Sequence, residues 1–261
     1  MLLSLHDKTA LVCGSTQGIG LASAIELAKL GANCVLIARN EVLLKAAVEQ
    51  LDITFNQQHQ YLVANFDEPA QLKTIIESFV ANHPVHILIN NTGGPAAGAI
   101  VTATADQFID TFNRHLICNH ILVQAVIASM KAAGYGRIIN IISTSVKVPL
   151  ANLGVSNTIR GAVASWSKTM ANELGQFNIT VNNVLPGYTK TARLQSLIET
   201  NATKRNVSVE VIIAEMEKDI PMKRFATPDE LGNVVAFLAT PAASYINGVN
   251  IPVDGGRTGS M

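Results

Sequence analysis

Short apolar runs alternate along the chain with longer amphipathic segments, and no other feature of the sequence limits the possible folds as strongly. The apolar runs, rich in Val, Ile and Leu, predict buried parallel strands over residues 9–13, 33–38, 61–64, 86–89, 137–142, 180–184 and 248–253. The amphipathic segments predict helices over roughly residues 19–30, 41–51, 69–82, 105–133 and 155–174. Strands that alternate with helices form right-handed βαβ units. The chain is therefore predicted to be an α/β protein with a doubly wound sheet of seven mainly parallel strands flanked by helices.

The alternation is not interrupted by a linker, a repeat or a low-complexity segment, so residues 1–261 are predicted to be a single domain. Hydrophobic residues make up 48% of the chain and charged residues 15%, which is enough for a sizeable core. The one irregular stretch, at about residues 191–221, is polar and helix-prone and follows the sixth strand. Because loops at the carboxyl ends of parallel strands line the ligand crevice, this stretch is predicted to be a substrate lid. A solvated pair of surface helices is the alternative.

A glycine-rich loop joins the first predicted strand to the first predicted helix. It reads Gly14-Ser15-Thr16-Gln17-Gly18-Ile19-Gly20. Its glycines let the backbone turn tightly and approach a pyrophosphate, and the helix N-terminus adds N–H donors and a favourable dipole. Because the loop follows a strand near the start of a βαβ series, it predicts a Rossmann-type dinucleotide cradle rather than a plain glycine turn.

The glycine loop and several later motifs together resemble the short-chain dehydrogenase/reductase family. The later motifs are Asn90-Asn91-Thr92-Gly93, the strand segment 137–143 that ends on Ser143, Pro186-Gly187 followed by Thr191, residues 220–225, and Val253-Asp254-Gly255-Gly256. The resemblance covers nearly the whole chain. Within the family, the chain is similar to 3-oxoacyl-carrier-protein-reductase-like proteins. It implies a nicotinamide-nucleotide cofactor that is held by the glycine loop and by Asn65, Asn90, Gly93, Pro186, Gly187, Thr189 and Thr191, with Asn65 beside the adenine.

The end of the second strand bears on the choice of nucleotide. An NAD-preferring site usually has an acid there that binds the ribose hydroxyls, whereas this chain has Ile37-Ala38-Arg39-Asn40. The guanidinium of Arg39 can pair with a 2′-phosphate. NADP(H) is therefore favoured over NAD(H), and the alternative is that Arg39 only solvates the strand end.

The resemblance breaks at the catalytic positions. Family members usually carry a serine, a Tyr-x-x-x-Lys pair and a helix asparagine. In this chain Ser143 stands at the serine position, while Ser156, Arg160 and His115 replace the tyrosine, the lysine and the asparagine. This pattern resembles an atypical subgroup of the family with Ser-Asn-x-x-Arg in place of Tyr-x-x-x-Lys. Ser156 and Arg160 still share a helix face, but a serine hydroxyl is too weak an acid to deliver a proton well near neutral pH.

Four side chains are predicted to carry out the remaining chemistry. Ser143 is predicted to donate a hydrogen bond to the reacting oxygen. Arg160 stays charged and can bind ribose hydroxyls of the cofactor, which makes it a cofactor-binding candidate too, or a substrate carboxylate. Lys147, in the loop after Ser143, can stabilise an enolate or supply a proton, unless it is simply solvated. His115 titrates in a useful range, unless it is a structural histidine.

Three functions are compatible with these residues. The first is an NADP(H)-dependent oxidoreductase that transfers hydride to the activated C=C bond of an enone or to a carbonyl. Conjugate addition makes an enolate that water can protonate, so it demands less of a positioned acid than ketone reduction does. The second is a 3-oxoacyl-type carbonyl reductase with a substituted proton donor, and the third is a catalytically inactive NADP(H)-binding regulatory or partner subunit.

Composition and cysteine spacing argue against several other classes. Nineteen basic residues balance nineteen acidic ones without a basic block, so no nucleic-acid partner is expected. Cys13, Cys34 and Cys118 match no zinc pattern and no metal site is expected; Cys13 and Cys34 are predicted to be small core residues. No apolar run is expected to span a membrane. Residues 1–7 reach an acid too soon for a signal peptide, which favours the cytoplasm.

Residues 227–240 and the last strand resemble the dimer-forming edge of the family. Their apolar side chains are Val234, Val235, Phe237 and Leu238. The resemblance implies a homo-oligomer, a tetramer or a dimer, that acts on a small-molecule substrate. The alternative is that these side chains simply pack on the sheet.

Overall fold

The apolar runs form one seven-stranded sheet in the computed structural model, which describes residues 2–259. The strands are β1 (Thr9–Cys13), β2 (Asn33–Ala38), β3 (Gln60–Val63), β4 (Ile87–Asn90), β5 (Gly136–Ile141), β6 (Ile179–Pro186) and β7 (Asn250–Val253). They lie in the order β3-β2-β1-β4-β5-β6-β7, and every neighbouring pair is parallel. The predicted α/β class and doubly wound sheet are confirmed. The strand order reverses between β1 and β4, which is where such sheets form a ligand crevice.

The helices cover both faces of the sheet. They are α1 (Gly18–Lys29), α2 (Glu41–Val48), α3 (Pro69–Val80), α4 (Ala105–Phe112), α5 (Cys118–Ala133), α6 (Gly154–Leu174), α7 (Ala192–Arg205), α8 (Val209–Lys218) and α9 (Pro228–Ala239). Fully buried side chains of α1, α2 and α9, such as Leu27, Leu44 and Leu231, pack on one face. Those of α3 and α5, such as Leu72 and Leu122, pack on the other. Each such leucine contributes about 2 kcal/mol of burial free energy, so the two layers hold the crevice in place.

The observed ends of strands and helices lie within three residues of the predicted ones, with one exception. Residues 105–133 do not form one uninterrupted α-helix, because a π-helical turn at Asn113–Ile117 separates α4 from α5. The whole stretch 105–133 is helical, as predicted, and only the π-helical turn within it was not predicted. The wider turn contains His115, whose side chain is 1% exposed, and such turns are common at functional sites.

Helical residues 105–133 also bear on membrane association. By length and composition alone, this helix is apolar enough to cross a bilayer, so the expectation that no run would pass that test was wrong. A core helix of a soluble protein passes the same test, and one such helix is weak evidence. Here Leu122, Val126 and Met130 are fully buried in the core beside α3. Packing on the sheet thus accounts for part of the apolar character of α5, and 33% of the apolar window is buried.

A chain of asparagine amides crosses the interior of the sheet from β4 to β7. The Nδ2 atom of Asn90 donates to Oδ1 of Asn140 at 2.8 Å, Asn140 donates to Asn183 at 2.9 Å, and Asn183 donates to Asn250 at 2.8 Å. The four residues are register partners on adjacent strands. Because a buried amide without a partner is costly, this asparagine ladder fixes the relative heights of four strand ends.

Several smaller predictions can be compared with the packing. Cys13 and Cys34 are buried core residues, as predicted. Residues 191–221 contain α7 and α8, which share a small apolar cluster of their own. In the predicted dimer edge, Val235 and Leu238 are fully buried inside the chain, whereas Phe237 is 36% exposed. Most of that apolar content is therefore used within the chain itself.

Candidate active site

A cavity of about 820 Å³ opens at the carboxyl ends of β1 to β6. Its walls come from the loops after these strands and from the first turns of α1 and α7. Cavities at this position of a doubly wound sheet are where α/β proteins bind their ligands. The residues that line it are the candidates for cofactor and substrate binding.

The glycine loop forms one wall of the cavity with a tightly folded backbone. Gly14 and Gly18 have φ angles of +59° and +58°, which side chains with a Cβ rarely adopt. A Cβ on Gly20 would lie 2.2 Å from the carbonyl oxygen of Gly14, so the loop closes on itself. Helix α1 begins at Gly18, and its N-cap residue Gln17 makes no side-chain capping bond. The N–H groups of the first turn are thus available to an anion.

The predicted members of this loop divide into two groups. Those that line the cavity are Gly14, Thr16, Gln17, Gly18 and Ile19. Ser15 and Gly20 do not line it: Ser15 is fully buried with its Oγ unpaired among the described residues, and Gly20 only lets the loop close. The structure shows both residues shaping the loop, and their contact with a cofactor stays a prediction.

The loop after β4 forms a second wall, and here the side chains differ from the prediction. Asn90 is the last residue of β4 and points into the sheet as the first member of the asparagine ladder, so it does not line the cavity. The next residue, Asn91, lines it and donates to the carbonyls of Cys13 and Gly14 at 3.3 and 3.2 Å. Gly93 lines it too, and a Cβ there would meet nothing within 4 Å. Asn91 was missed because alternation of side chains at a strand end decides which neighbour faces which side.

The remaining cofactor residues that the resemblance implies also belong to this cavity, and their contact with a cofactor stays a prediction. Asn65, Pro186, Gly187, Thr189 and Thr191 all line the cavity. A nicotinamide nucleotide fits this site because the uncapped start of α1 offers N–H donors to a pyrophosphate and the glycine at position 93 leaves the opposite wall open. Across the cavity, Thr191 approaches the glycine loop, since a Cβ on Gly18 would lie 3.2 Å from its Cγ2.

Charged side chains gather at the β2 and β3 end of the cavity. Arg39 lines it with a side chain that is 73% exposed, and its Nη1 lies 3.8 Å from Oδ2 of Asp67. Asp67 is held more closely by Arg114, whose Nε donates to Oδ1 at 2.6 Å. Arg39 is thus loosely held and free to meet an anion, while the sequence analysis missed Asp67 and Arg114, which the fold brings together from different loops.

The opposite end, after β5, carries the predicted catalytic residues. Ser143, Ser156 and Arg160 all line the cavity there. The Oγ of Ser143 accepts a hydrogen bond from the N–H of Ser145 at 3.1 Å, so the hydroxyl hydrogen remains free to be donated. Ser156 lies in the first turn of α6, and Arg160 follows one turn later on the same face.

Arg160 is a buried cation. Its side chain belongs to a residue that is 8% exposed, and its Nη1 donates to the carbonyl of Ile141 at 2.8 Å. Burial, followed by the nearby positive charge of Arg193, lowers the pKa of Arg160 to about 10. The guanidinium therefore stays protonated near neutral pH and acts as a fixed charge and hydrogen-bond donor rather than as a proton relay.

Two of the predicted catalytic residues do not reach the cavity. Lys147 is exposed and is not among the residues that line it, because the short 3-10 turn Thr144–Val146 carries the chain outward. His115 is buried behind the wall, where its Nδ1 lies 2.5 Å from Oγ1 of Thr92. Desolvation, followed by the charge of Arg160, lowers the pKa of His115 to about 2. The prediction that His115 titrates in a useful range was wrong.

Three further residues of the cavity were not predicted as site residues. Arg193, in the first turn of α7, donates from Nη2 to the carbonyl of Pro95 at 2.6 Å. Arg257 donates from Nη2 to the hydroxyl of Tyr188 at 3.0 Å, and its guanidinium carbon lies 4.3 Å from the centre of the tyrosine ring. Neither arginine stands in a recognisable motif, so only the fold could show that they share a cavity. Within residues 2–259, no group of three His, Cys, Asp or Glu side chains is placed to bind a metal.

Three features define an NAD(P)-dependent oxidoreductase with a dinucleotide-binding fold. They are the doubly wound sheet, the uncapped helix behind the glycine loop and the serine that follows β5. A family model described as enoyl-(acyl carrier protein) reductase matches residues 14–258. The chain belongs to the short-chain dehydrogenase/reductase family.

Individual relatives agree with this family over their whole length. The chain is similar to the NADPH-dependent reductase BacG of Bacillus subtilis, with 29% identity over 98% of this chain and 100% of that protein. It is also similar to the 3-oxoacyl-(acyl-carrier-protein) reductase FabG of Pseudomonas aeruginosa, with 31% identity over 97% of this chain and 98% of that protein. The crystal structure of L-sorbose reductase from Gluconobacter frateurii in complex with NADPH and L-sorbose has a TM-score of 0.93 at 29% identity, with 100% of both chains covered.

Proposed function

We propose that this protein is an NADP(H)-dependent reductase that transfers hydride to the activated double bond of an enone or to a carbonyl group. The observation that carries the proposal is that Ser143, Ser156 and Arg160 line one end of a cavity whose other wall is the glycine loop. A hydroxyl donor and a fixed positive charge are thus available at the reacting end, while the acid usual in the family is replaced there by a serine.

The preference for NADP(H) rests on the β2 end of the cavity. Arg39 directly follows β2. Its ion pair among the described residues is a long one, with 3.8 Å between its Nη1 and Oδ2 of Asp67. A 2′-phosphate is a stronger partner for a guanidinium than a distant, shared carboxylate. The relative BacG is an NADPH-dependent reductase and L-sorbose reductase was crystallised with NADPH, which agrees with this preference.

When bound, the nicotinamide supplies a hydride to the substrate. The protein's own residues bind the cofactor and stabilise the oxygen on which negative charge develops. Ser143 can donate its hydroxyl hydrogen to that oxygen, because the N–H of Ser145 uses only a lone pair of the Ser143 Oγ. Arg160 donates from the guanidinium nitrogens that do not bind the carbonyl of Ile141, either to ribose hydroxyls of the cofactor or toward the developing charge.

The source of the proton follows from the side chains that are present. Ser156 is too weak an acid, Arg160 stays charged, His115 is neutral and buried, and Lys147 lies outside the cavity. None of these four is a suitable acid, so we assign the proton to solvent water, and Tyr188, which also lines the cavity, is the competing donor. This favours conjugate reduction, in which the enolate can be protonated on carbon by water. A 3-oxoacyl carbonyl reductase is the second candidate, and the 31% identity to FabG favours it.

The experiment that tests the function begins with titration of the purified protein with NADPH and with NADH. Absorbance or stopped-flow assays with enones, 3-oxoacyl thioesters and simple ketones follow. Tighter binding of NADPH and its oxidation by an enone support the proposal, and oxidation only by 3-oxoacyl thioesters supports the second candidate. Tight binding without any oxidation would instead identify an inactive regulatory subunit.

Two substitutions separate the roles of individual hydroxyls. Ser143→Ala is expected to lower kcat by about 100-fold with little change in NADPH affinity. Ser165→Ala, at an exposed position of α6, is the matched control. Tyr188 also lines the cavity, so Tyr188→Phe tests the assignment of the proton to water. A large loss of kcat in Tyr188→Phe with NADPH affinity unchanged would assign the proton to Tyr188 instead.

We further expect a homo-oligomer, a dimer or tetramer, that works in the cytoplasm, and a lid formed by residues 191–221. The support for the lid is that α7 and α8 pack on each other through their own apolar cluster, while the first turn of α7 lines the cavity. Such a unit can move as one body against the sheet. Size-exclusion chromatography with light scattering gives the oligomeric state.

A further inference from the structure

The charged residues of the cavity are distributed unevenly. At the β2 and β3 end, Asp67 offsets the arginines beside it. At the other end, the charged residues that line the cavity are Arg160, Arg193 and Arg257, and no aspartate or glutamate of the described chain lines the cavity beside them. The glycine loop and Arg39 already account for binding of the cofactor's phosphates. The positive charge at the substrate end therefore lacks a partner within residues 2–259.

Arg193 is placed in a way that its helix does not explain. It is the second residue of α7, where the helix dipole disfavours a cation by a few tenths of a kcal/mol or more. No carboxylate of the described residues lies within 4.0 Å of its guanidinium, although Arg205 at the other end of the same helix is paired with Glu215. One hydrogen bond holds Arg193, from Nη2 to the carbonyl of Pro95, 98 residues away in the chain. Its Nε and Nη1 atoms have no protein partner among residues 2–259.

Arg160 reaches the same short segment of the cavity wall. Its Nη2 lies 3.9 Å from the position of a Cβ on Gly94, the residue before Pro95. Arg160 and Arg193 thus meet at two consecutive residues, and the charge of Arg193 contributes to the lowered pKa of Arg160. Arg160 is buried and Arg193 is exposed, and their like charges repel each other. An anion placed beside them offsets that repulsion, while solvent screens part of it at Arg193.

We propose that the substrate carries a carboxylate that binds to Arg193 and offsets the neighbouring charge of Arg160. The carboxylate replaces the neutral carbonyl of Pro95 as the partner of Arg193, because a charge-assisted, bidentate pair is the stronger bond. Beside the hydroxyls of Ser143 and Ser156, this end of the cavity also has an apolar part, which is formed by Leu150, Leu153 and Leu197. The substrate class is therefore an enone acid or an oxo acid with an apolar body.

The inference rests on the proposed function but adds a separate group to it. Hydride passes from the cofactor to a substrate carbon and a proton comes from water, so the cofactor is oxidised and the substrate reduced. The carboxylate is unchanged by this step and serves only for recognition. Charge selectivity in binding can thus be measured without turnover.

The first experiment is calorimetric titration of the NADP⁺-loaded protein with benzoylpropionate and with the neutral benzoylpropionamide. The acid is expected to bind at least about 10-fold more tightly than the amide. Arg193→Gln is expected to remove this preference by weakening the acid and not the amide, and Arg193→Lys is expected to keep part of it. Arg205→Gln, on the same helix and outside the cavity, is the matched control and is expected to behave as the wild type.

Three results would overturn the inference. They are equal binding of acid and amide, a preference that persists in Arg193→Gln, and a loss of NADP⁺ affinity in Arg193→Gln with the preference intact. The last result would assign Arg193 to the cofactor's phosphates.

A second pair of probes separates this inference from the proposed function. Benzoylacrylic acid and its methyl ester are both enones, and only the acid carries a charge. NADPH oxidation that is faster with the acid because its KM is lower, together with a rise of that KM in Arg193→Gln, supports both the carboxylate site and the reductase function. Equal kcat/KM values for acid and ester leave the reductase in place and refute the carboxylate site. Selective binding of acids without turnover of either probe supports the carboxylate site and refutes the reductase.

Discussion

The buried histidine of the π-helical turn is expected to make the fold sensitive to acid. His115 is 1% exposed, and its pKa is lowered from the ordinary 6.5 to about 2. Between these two values the unfolded chain binds a proton that the folded chain does not, so stability rises with pH across this window and is lost as the pH falls below about 6.5. From about pH 7.5 to about pH 5, the loss due to His115 is about 2 kcal/mol. Any folded pKa below about 4 gives the same figure at this pH.

The assay is urea unfolding at constant ionic strength and fixed protein concentration at both pH values. His115→Asn introduces an amide that does not titrate, so the variant is expected to lose about 2 kcal/mol less than the wild type over the same interval. His120→Asn, at an exposed position of α5, is the control and is expected to follow the wild type. Equal losses in the wild type and in His115→Asn would refute the reasoning, because His115 would then be protonated in the folded state or would find a partner for its charge.

Three other changes are expected to separate structural roles from chemical ones. Gly20→Ala places a Cβ 2.2 Å from the Gly14 carbonyl and is expected to cost about 3 kcal/mol or more in urea unfolding, with NADPH affinity lost in a fluorescence titration. Asn140→Leu removes the middle of the asparagine ladder and is expected to cost about 3 kcal/mol, measured in the same way, because neighbouring amides lose their partners. Lys147→Ala is expected to keep kcat/KM within about 2-fold of the wild type, since the residue lies outside the cavity, and a larger loss would restore its catalytic role.

The sheet could be predicted from the sequence because parallel strands are buried on both faces, and their sequences are therefore continuous apolar runs. The glycine loop could be predicted because its demands are local: positive φ angles at Gly14 and Gly18 and close backbone approach at Gly20. The break between α4 and α5 could not be predicted, since a π-helical turn changes hydrogen-bond partners without changing the helical periodicity of the residues.

The parts of the site that a sequence motif positions through the backbone could be predicted. The parts where side chains converge from separate segments of the chain were missed. Asn90 and Asn91 are adjacent, and the alternation of side chains along β4 sends the first into the sheet and the second to the cavity. Arg193 comes from the first turn of α7, after β6, and Arg257 comes from the loop after β7; nothing in their local sequence marks them. Lys147 was expected near the nicotinamide because of its distance from Ser143, but the 3-10 turn between them points it to solvent.

The asparagine ladder has a consequence for how these strands can change during evolution. Substitution of Asn140 or Asn183 by an apolar residue leaves an amide without its ladder partner on each side. The same substitution at Asn250 leaves only one amide without its partner. Replacing all four members together would leave no amide without a partner. The four positions are thus coupled. Each substitution destabilises the fold more when it is made alone than when it is combined with the others, and the loss of stability is greatest at Asn140 and Asn183. Intermediates along such a path are less stable than either end, so the ladder is expected to persist or to disappear as a block.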